Sequence, residues 1–305
     1  PKMKNKFLSV FSLLVMMVAS AAAQMGPPMP AGKTFYSAEA LVVSRGDADL
    51  DSGGSMSANR LGFEFGVIHG LSAQSSLGAT IGYENVSYSW DDVPAFGGFS
   101  PWDDIDRWQV SLQYRYAIDR ESSLFVMPSV TTTGESGVSL SDSIEFGAIV
   151  GYTKQFSETL TLGIGGGGFF GLEDTSGFPV IFVLWDFADN WRLLNPFRPG
   201  PSGPAGLEVV YTGLDNWEIG FGGGYRVNRY ALDDVGPEPD GFGQDEGAAV
   251  FIRATRNFKT GGTLDLSVGS IVGGELELEN SDGRLIGGTD YDPSLLFAIA
   301  FSQRW

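Results

Sequence analysis

Leu295-Leu296-Phe297-Ala298-Ile299-Ala300-Phe301-Ser302-Gln303-Arg304-Trp305 is the stretch that decides the fold. In an extended strand successive side chains point to opposite faces. Leu295, Phe297, Ile299, Phe301 and Trp305 therefore share one face, and Leu296, Ala298, Ala300, Ser302 and Arg304 share the other. The first face suits hydrocarbon and the second is small or polar.

The same period of two recurs upstream. Leu61, Phe63, Phe65 and Val67 alternate with Arg60, Gly62, Glu64 and Gly66. Trp108, Val110, Leu112, Tyr114 and Tyr116 alternate with Arg107, Gln109, Ser111, Gln113 and Arg115, and Trp217, Ile219, Phe221 and Tyr225 with Glu218, Gly220, Gly222, Gly224 and Arg226. This is the signature of strands apolar on one side, with no sustained helical period. Beyond residue 34 no apolar run reaches the roughly 18 residues of a membrane helix. A sheet in lipid cannot leave edge groups unpaired, so it must close on itself. The expected fold is all-β, a transmembrane antiparallel up-and-down β-barrel.

Candidate strands fall at 35–43, 59–68, 75–90, 107–116, 123–132, 143–153 and 159–170. Seven more follow at 179–187, 191–197, 205–212, 217–230, 246–255, 263–273 and 293–305. About fourteen is an even number, as single-chain bacterial barrels require. The doubtful region is 178–206, where Val180–Phe187 is apolar on both faces and Pro196, Pro199, Pro201 and Pro204 cannot donate to a ladder. An inward fold there reduces the expected count to about twelve. Short connections such as 117–122 are expected on the periplasmic side with both termini, and longer ones, 44–58, 91–106 and 231–245, outside. Tyr36, Tyr114, Tyr116, Tyr152, Trp191, Tyr211, Trp217 and Trp305 mark periplasmic strand ends, where amphipathic rings suit the interface. A soluble β-sandwich or β-helix also alternates, but has no need of that aromatic girdle.

At the other end, Pro1 and Lys2 read as sequence upstream of a start at Met3. Lys4 and Lys6, the apolar Phe7–Ala19 and the triplet Ala21, Ala22, Ala23 match a cleaved signal peptide over 1–23. Residues 24–34 are then a short periplasmic segment and 35–305 the barrel, in the outer membrane of a Gram-negative cell.

There is no cysteine, which excludes disulfides and thiolate chemistry. A net charge of −18 repels nucleic acid and favours cations. Outer-membrane lipid, lipopolysaccharide, the barrel-assembly machinery and small solutes are the expected partners. The Phe297, Ile299, Phe301, Trp305 ending is read as the assembly signal, with Gln303 departing from the usual apolar choice.

The polar face predicts a lumen lined by Arg60, Glu64, Glu84, Arg107, Arg115, Glu145, Glu208, Glu218, Arg226, Arg253, Asp265 and Arg304, together with Glu39. These charges either pair across strands or line a water-filled pore. Inward glycines, among them Gly147, Gly151, Gly163 and Gly167, either leave volume or relieve crowding. Acidic outer loops carry Asp47, Asp49 and Asp51 and also Asp103, Asp233 and Asp245. The first three resemble the start of a calcium loop, but position twelve is Ala58, so they are only a weak metal candidate. His69 is the sole histidine, in a turn, which leaves no base for a hydrolase on a strand; no enzymatic role, catalytic residue or cofactor is expected.

On its signal, its alternating strands and its aromatic ending, the chain resembles the bacterial outer-membrane β-barrel, porin-like superfamily. Phe178-Pro179-Val180, Asp189-Asn190-Trp191-Arg192-Leu193 and the stretch from Pro204 to Tyr211 look like an uncharacterised outer-membrane barrel family of unknown function. The resemblance implies a porin-like channel for passive diffusion of small hydrophilic solutes, with the acidic loops giving a weak bias toward cations. A non-conducting structural or surface-binding barrel is the alternative. A transporter of hydrophobic compounds, which needs an apolar lumen, comes third.

Overall fold

The computed structural model describes residues 29–172, 176–195, 200–201 and 206–305. The signal-peptide reading, residues 24–28, and Pro196, Pro199 and Pro204 lie outside the described residues. Among the described residues fifteen strands run in chain order: β1 (Thr34–Asp49), β2 (Ser55–Gly70), β3 (Ser75–Asp91), β4 (Asp104–Ala117), β5 (Ser122–Glu135), β6 (Ile144–Ser157), β7 (Leu160–Phe170) and β8 (Ser176–Ala188). They continue as β9 (Trp191–Leu194), β10 (Leu207–Leu214), β11 (Trp217–Ala231), β12 (Phe242–Asn257), β13 (Gly262–Glu279), β14 (Leu285–Tyr291) and β15 (Ser294–Arg304). Among the described residues no helix is long and apolar enough to cross a membrane.

The sheet closes. β1 pairs antiparallel with β15 from Ser37 opposite Arg304 to Arg45 opposite Leu296. β13 is shared: Gly262–Ile271 pairs with β15 and Gly274–Glu279 with β14. β14 and β15 are therefore one stave, broken at Asp292 and at Pro293, which has no N–H for the ladder. Across the break Asp292 donates its N–H to the Asp49 carbonyl at 2.8 Å, and Leu50 bridges Tyr291. Fifteen strands thus make the fourteen staves expected. The upper piece of the last stave escapes notice in the sequence because Leu285-Ile286-Gly287-Gly288 does not alternate.

Outward residues form the apolar belt: Leu61, Phe63, Phe65, Trp108, Val110 and Leu112 are exposed, as are Phe297, Ile299, Phe301 and Trp305. Their neighbours on the other face, Arg60, Gln109, Ser111 and Gln113, are buried. Rings gather at the end carrying both termini, with Tyr36 stacked on Trp305 at 6.4 Å and Trp191 against Tyr211 at 5.1 Å. The turns at that end are short. At the opposite end the strands reach further than the alternation suggests, so the expected loop 44–58 shrinks to the five residues between Asp49 and Ser55. Backbone pairing continues past the apolar belt because hydrogen bonds, unlike burial, need no oily side chain.

The doubtful region resolves in both ways at once. β9 and β10 stay in the wall, though short, and pair with each other from Trp191 opposite Tyr211 to Leu194 opposite Glu208. Between them the Gly200 carbonyl accepts a 2.6 Å hydrogen bond from Arg60 on β2, and Pro201 is buried. Gly200 and Pro201 thus lie against Arg60 while β9 and β10 remain in the wall, so the count does not fall to twelve. Among the described residues, the parts of β8 and β11 away from Tyr36 and Trp305, 176–182 and 224–230, have a ladder on one side only, toward β7 and β12. Above them Ala231 pairs in parallel with Gly134, and the Glu135 carboxylate accepts backbone N–H groups of Asp103 and Asp233 at 2.7 and 3.0 Å.

Candidate functional site

The site of interest is the lumen, and it has three zones. At the end away from Tyr36 and Trp305 the connection between β3 and β4 folds inward, burying Val93, Phe96, Pro101 and Trp102. Trp102 packs edge-on against Trp90 at 5.0 Å, against Tyr230 at 5.3 Å and against Tyr88 at 5.8 Å. Since Tyr88 lies on β3 and Tyr230 on β11, across the barrel, these rings span the bore. Met56, Ile271, Leu276 and Leu296 complete a dry core there. Dense apolar packing leaves no column of water.

Just beneath sits a polar hub. Asp245, wholly buried on β12, meets Arg45 of β1 at 3.2 Å and Arg226 of β11 at 3.4 Å. The hydroxyls of Tyr88 and Tyr291 each lie 2.9 Å from its carboxylate. The Arg45 guanidinium also lies over the Tyr291 ring at 5.2 Å. A carboxylate out of water is tolerable only when charged and hydrogen-bonded partners replace the lost hydration. Arg45 and Asp245 fall in the long loops that the alternation predicts, 44–58 and 231–245; both instead face inward on extended strands. The missed signal was Gly243, Asp245 and Gly247 alternating on one face of β12.

Lower down, Arg253 binds Glu208 through Nε and a terminal nitrogen at 2.9 and 2.8 Å and reaches Asp265 at 2.8 Å. Thr255 joins the same Asp265 oxygen. Arg60 sits 3.5 Å from Glu84, Arg107 interacts electrostatically with Glu84 and Glu145, and Arg115 donates to Ser123 at 3.1 Å. Glu39 and Glu64 face each other across β1 and β2. Glu218 accepts from Asn257 at 3.1 Å, and Arg304 is exposed at the mouth beside the termini. Arg60, Glu84, Arg115, Glu145, Glu208, Arg226, Arg253 and Asp265 are buried, and several of them form pairs bridging neighbouring or distant staves.

The third zone is apolar. Phe125 and Met127 of β5, Phe169 of β7 and Phe178 and Phe182 of β8 are buried on the inward face. Phe169 stacks on Phe178 at 5.7 Å, and Phe125 meets Phe182 edge-on at 5.2 Å. These rings lie over the glycines. A Cβ on Gly147, Gly151 or Gly167 would overlap Phe169, Phe125 or Phe178. Absent side chains here make room for rings rather than for solvent. The lumen is thus polar along one arc and apolar along β5–β8, a split that alternation alone hides because phenylalanine sits on both faces of β8.

Asp47 and Asp49 lie on β1 and Asp51 in the turn after it. Among the described residues no group of three or more histidine, aspartate or glutamate side chains is arranged to hold a metal. His69 sits at the end of β2, its Nδ1 2.8 Å from the Thr34 hydroxyl.

No family profile and no curated protein matches this sequence. Solved structures do. A deltaS2 mutant of TodX, a monoaromatic hydrocarbon channel of Pseudomonas putida, aligns over 93% of this chain and 94% of its own at 8% identity, with a TM-score of 0.50. An outer-membrane channel of Pseudomonas putida F1 aligns over 92% and 97% at 12% identity, TM-score 0.47, and the KdgM porin over 86% and 98% at 10%, TM-score 0.34. The fold is that of the bacterial outer-membrane β-barrels.

Proposed function

We propose that this protein is an outer-membrane channel for small apolar molecules, which exchange between lumen and lipid beside β8 and β11 rather than along an open axial bore. One observation carries the reading: the inward phenylalanines of β5–β8 form an apolar strip that reaches the stretch of wall where, among the described residues, β8 and β11 have a ladder on one side only. A greasy path is of use only to a molecule that gains by leaving water. The packed outer core and the Asp245 hub argue in the same direction, since they obstruct the straight route. In this reading the termini face the periplasm, where the short turns are, and lipid and lipopolysaccharide surround the apolar belt.

The hydrophilic, weakly cation-favouring pore is the second reading, favoured by the polar arc around Ser111, Gln113 and Glu145. Uptake into vesicles separates the two. Proteoliposomes should take up toluene faster than empty ones, and charges placed on the strip, Phe178→Arg or Phe182→Arg, should slow this at least tenfold. Large, steady, cation-favouring conductance in planar bilayers, with toluene uptake no faster than in protein-free vesicles, puts the hydrophilic pore in front.

A further inference from the structure

We infer that the outer surface carries a capture site for small uncharged apolar molecules, in the groove between the inward-folded 94–100 segment, the 235–238 segment and the β13–β14 hairpin. The inference rests on the apolar-substrate reading above and adds the place where such a molecule is first held. The open groove offers about 760 Å³, a volume in the range of ordinary small-molecule sites. Its walls are Phe99, Val235 and Ile286, which are 69%, 82% and 44% exposed, and its floor is Phe96 and Leu278, both buried. Three large apolar side chains converging on one cleft at a water-facing end are costly unless something covers them.

The lining also says what the occupant is. Among the described residues Glu238 is the only charged one in the lining, and the remaining lining groups are small residues and Pro237. Such walls offer dispersion and hydrophobic contact but no cation to hold an acid. Asp92, Asp233, Asp234 and Asp240 stand in the adjoining loops and repel anions. A fatty acid or other anionic amphiphile is thereby disfavoured, and a neutral aromatic or aliphatic molecule is favoured. The floor continues directly into the aromatic core, Phe96 lying 6.2 Å from Trp90 and 5.9 Å from Trp102. An occupant would therefore sit within one ring of two tryptophans.

That adjacency supplies the readout. The whole protein in lipid nanodiscs is titrated with neutral N-phenyl-1-naphthylamine, following energy transfer from tryptophan and subtracting empty nanodiscs. Saturable binding is expected, with the anionic 8-anilinonaphthalene-1-sulfonate at least tenfold weaker. Phe99→Asp and Ile286→Ser, each checked for barrel formation by heat-dependent gel mobility, should weaken the neutral probe about tenfold, whereas Arg120→Ser, in the turn between β4 and β5, should leave it unchanged. Unaltered binding in both groove variants, or equal affinity for the two probes, overturns the site. Saturable, groove-dependent binding without toluene uptake would instead retain the site and sink the channel reading.

Discussion

Arg253 grips Glu208 with two nitrogens of one guanidinium, at 2.9 and 2.8 Å, while a third contact at 2.8 Å holds Asp265. The three residues come from β12, β10 and β13, so one cation ties the short tenth strand to the closing region. Removing one partner of a buried pair typically costs about 3–5 kcal/mol, because the other charge is stranded. Arg253→Ala should therefore lower the urea midpoint of refolded protein markedly, while the triple change Arg253→Met, Glu208→Gln, Asp265→Asn should recover much of the loss. A triple variant as unstable as the single one would refute this account.

Overlap of a Gly167 Cβ with the Phe178 ring makes a paired test possible. Gly167→Val should destabilise the barrel by about 1–3 kcal/mol, the usual range for overpacking. Phe178→Ala in the same chain should relieve the strain. Non-additivity in a double-mutant cycle is the measurement.

Asp245 joins β12 to β1, β3 and β11 across the bore. Asp245→Ala removes the group that holds Arg45, Arg226 and Tyr88 together, leaving cations free to swing aside. Single-channel recordings should show more frequent or larger openings than in the unaltered protein. Identical traces would mean that the ring core above, rather than the hub, sets the block.

How far the sequence reveals all this depends on which force wrote each part. The belt residues Phe297, Ile299 and Phe301 must meet hydrocarbon, so they alternate visibly and the closed fold follows. Arg253 and Glu208 are legible as inward residues for the same reason. Their pairing is not, because partners come from strands separated by tens of residues and register is set by the whole ring. Phe178 and Phe182 are hidden because a ring packed over glycine looks, in sequence, like one more outward apolar residue. Asp245 misleads because extended pairing carries it above the belt, where composition already resembles a loop.

Orientation can be read from a chain that has no cysteine of its own. Asp51→Cys, in the turn between β1 and β2, should react with an impermeant maleimide on intact cells, and Asp119→Cys, between β4 and β5, only after the outer membrane is opened. The reverse pattern would invert the assignment of sides.

Asp119 itself gives a pH prediction. The backbone N–H groups of Glu121 and Ser122 reach its carboxylate at 2.8 and 2.7 Å, and these bonds hold it below the usual aspartate range. A carboxyl depressed in the folded state adds stability above its unfolded value of about 3.9 and loses it as pH falls through the lower folded value. The carbon-13 shift of the Asp119 carboxyl should accordingly titrate below 3.9. A midpoint at or above that value would disprove the turn's contribution.

Trp305 and Tyr36 exchange backbone hydrogen bonds at 2.9 and 3.2 Å, which leaves the two ends of the ring side by side. The order in which the chain visits its staves is then a convention of where it happens to be cut. A circular permutant, with a short linker joining residue 305 to residue 34 and new ends opened in the turn at Asp119 and Arg120, would trace the same cylinder.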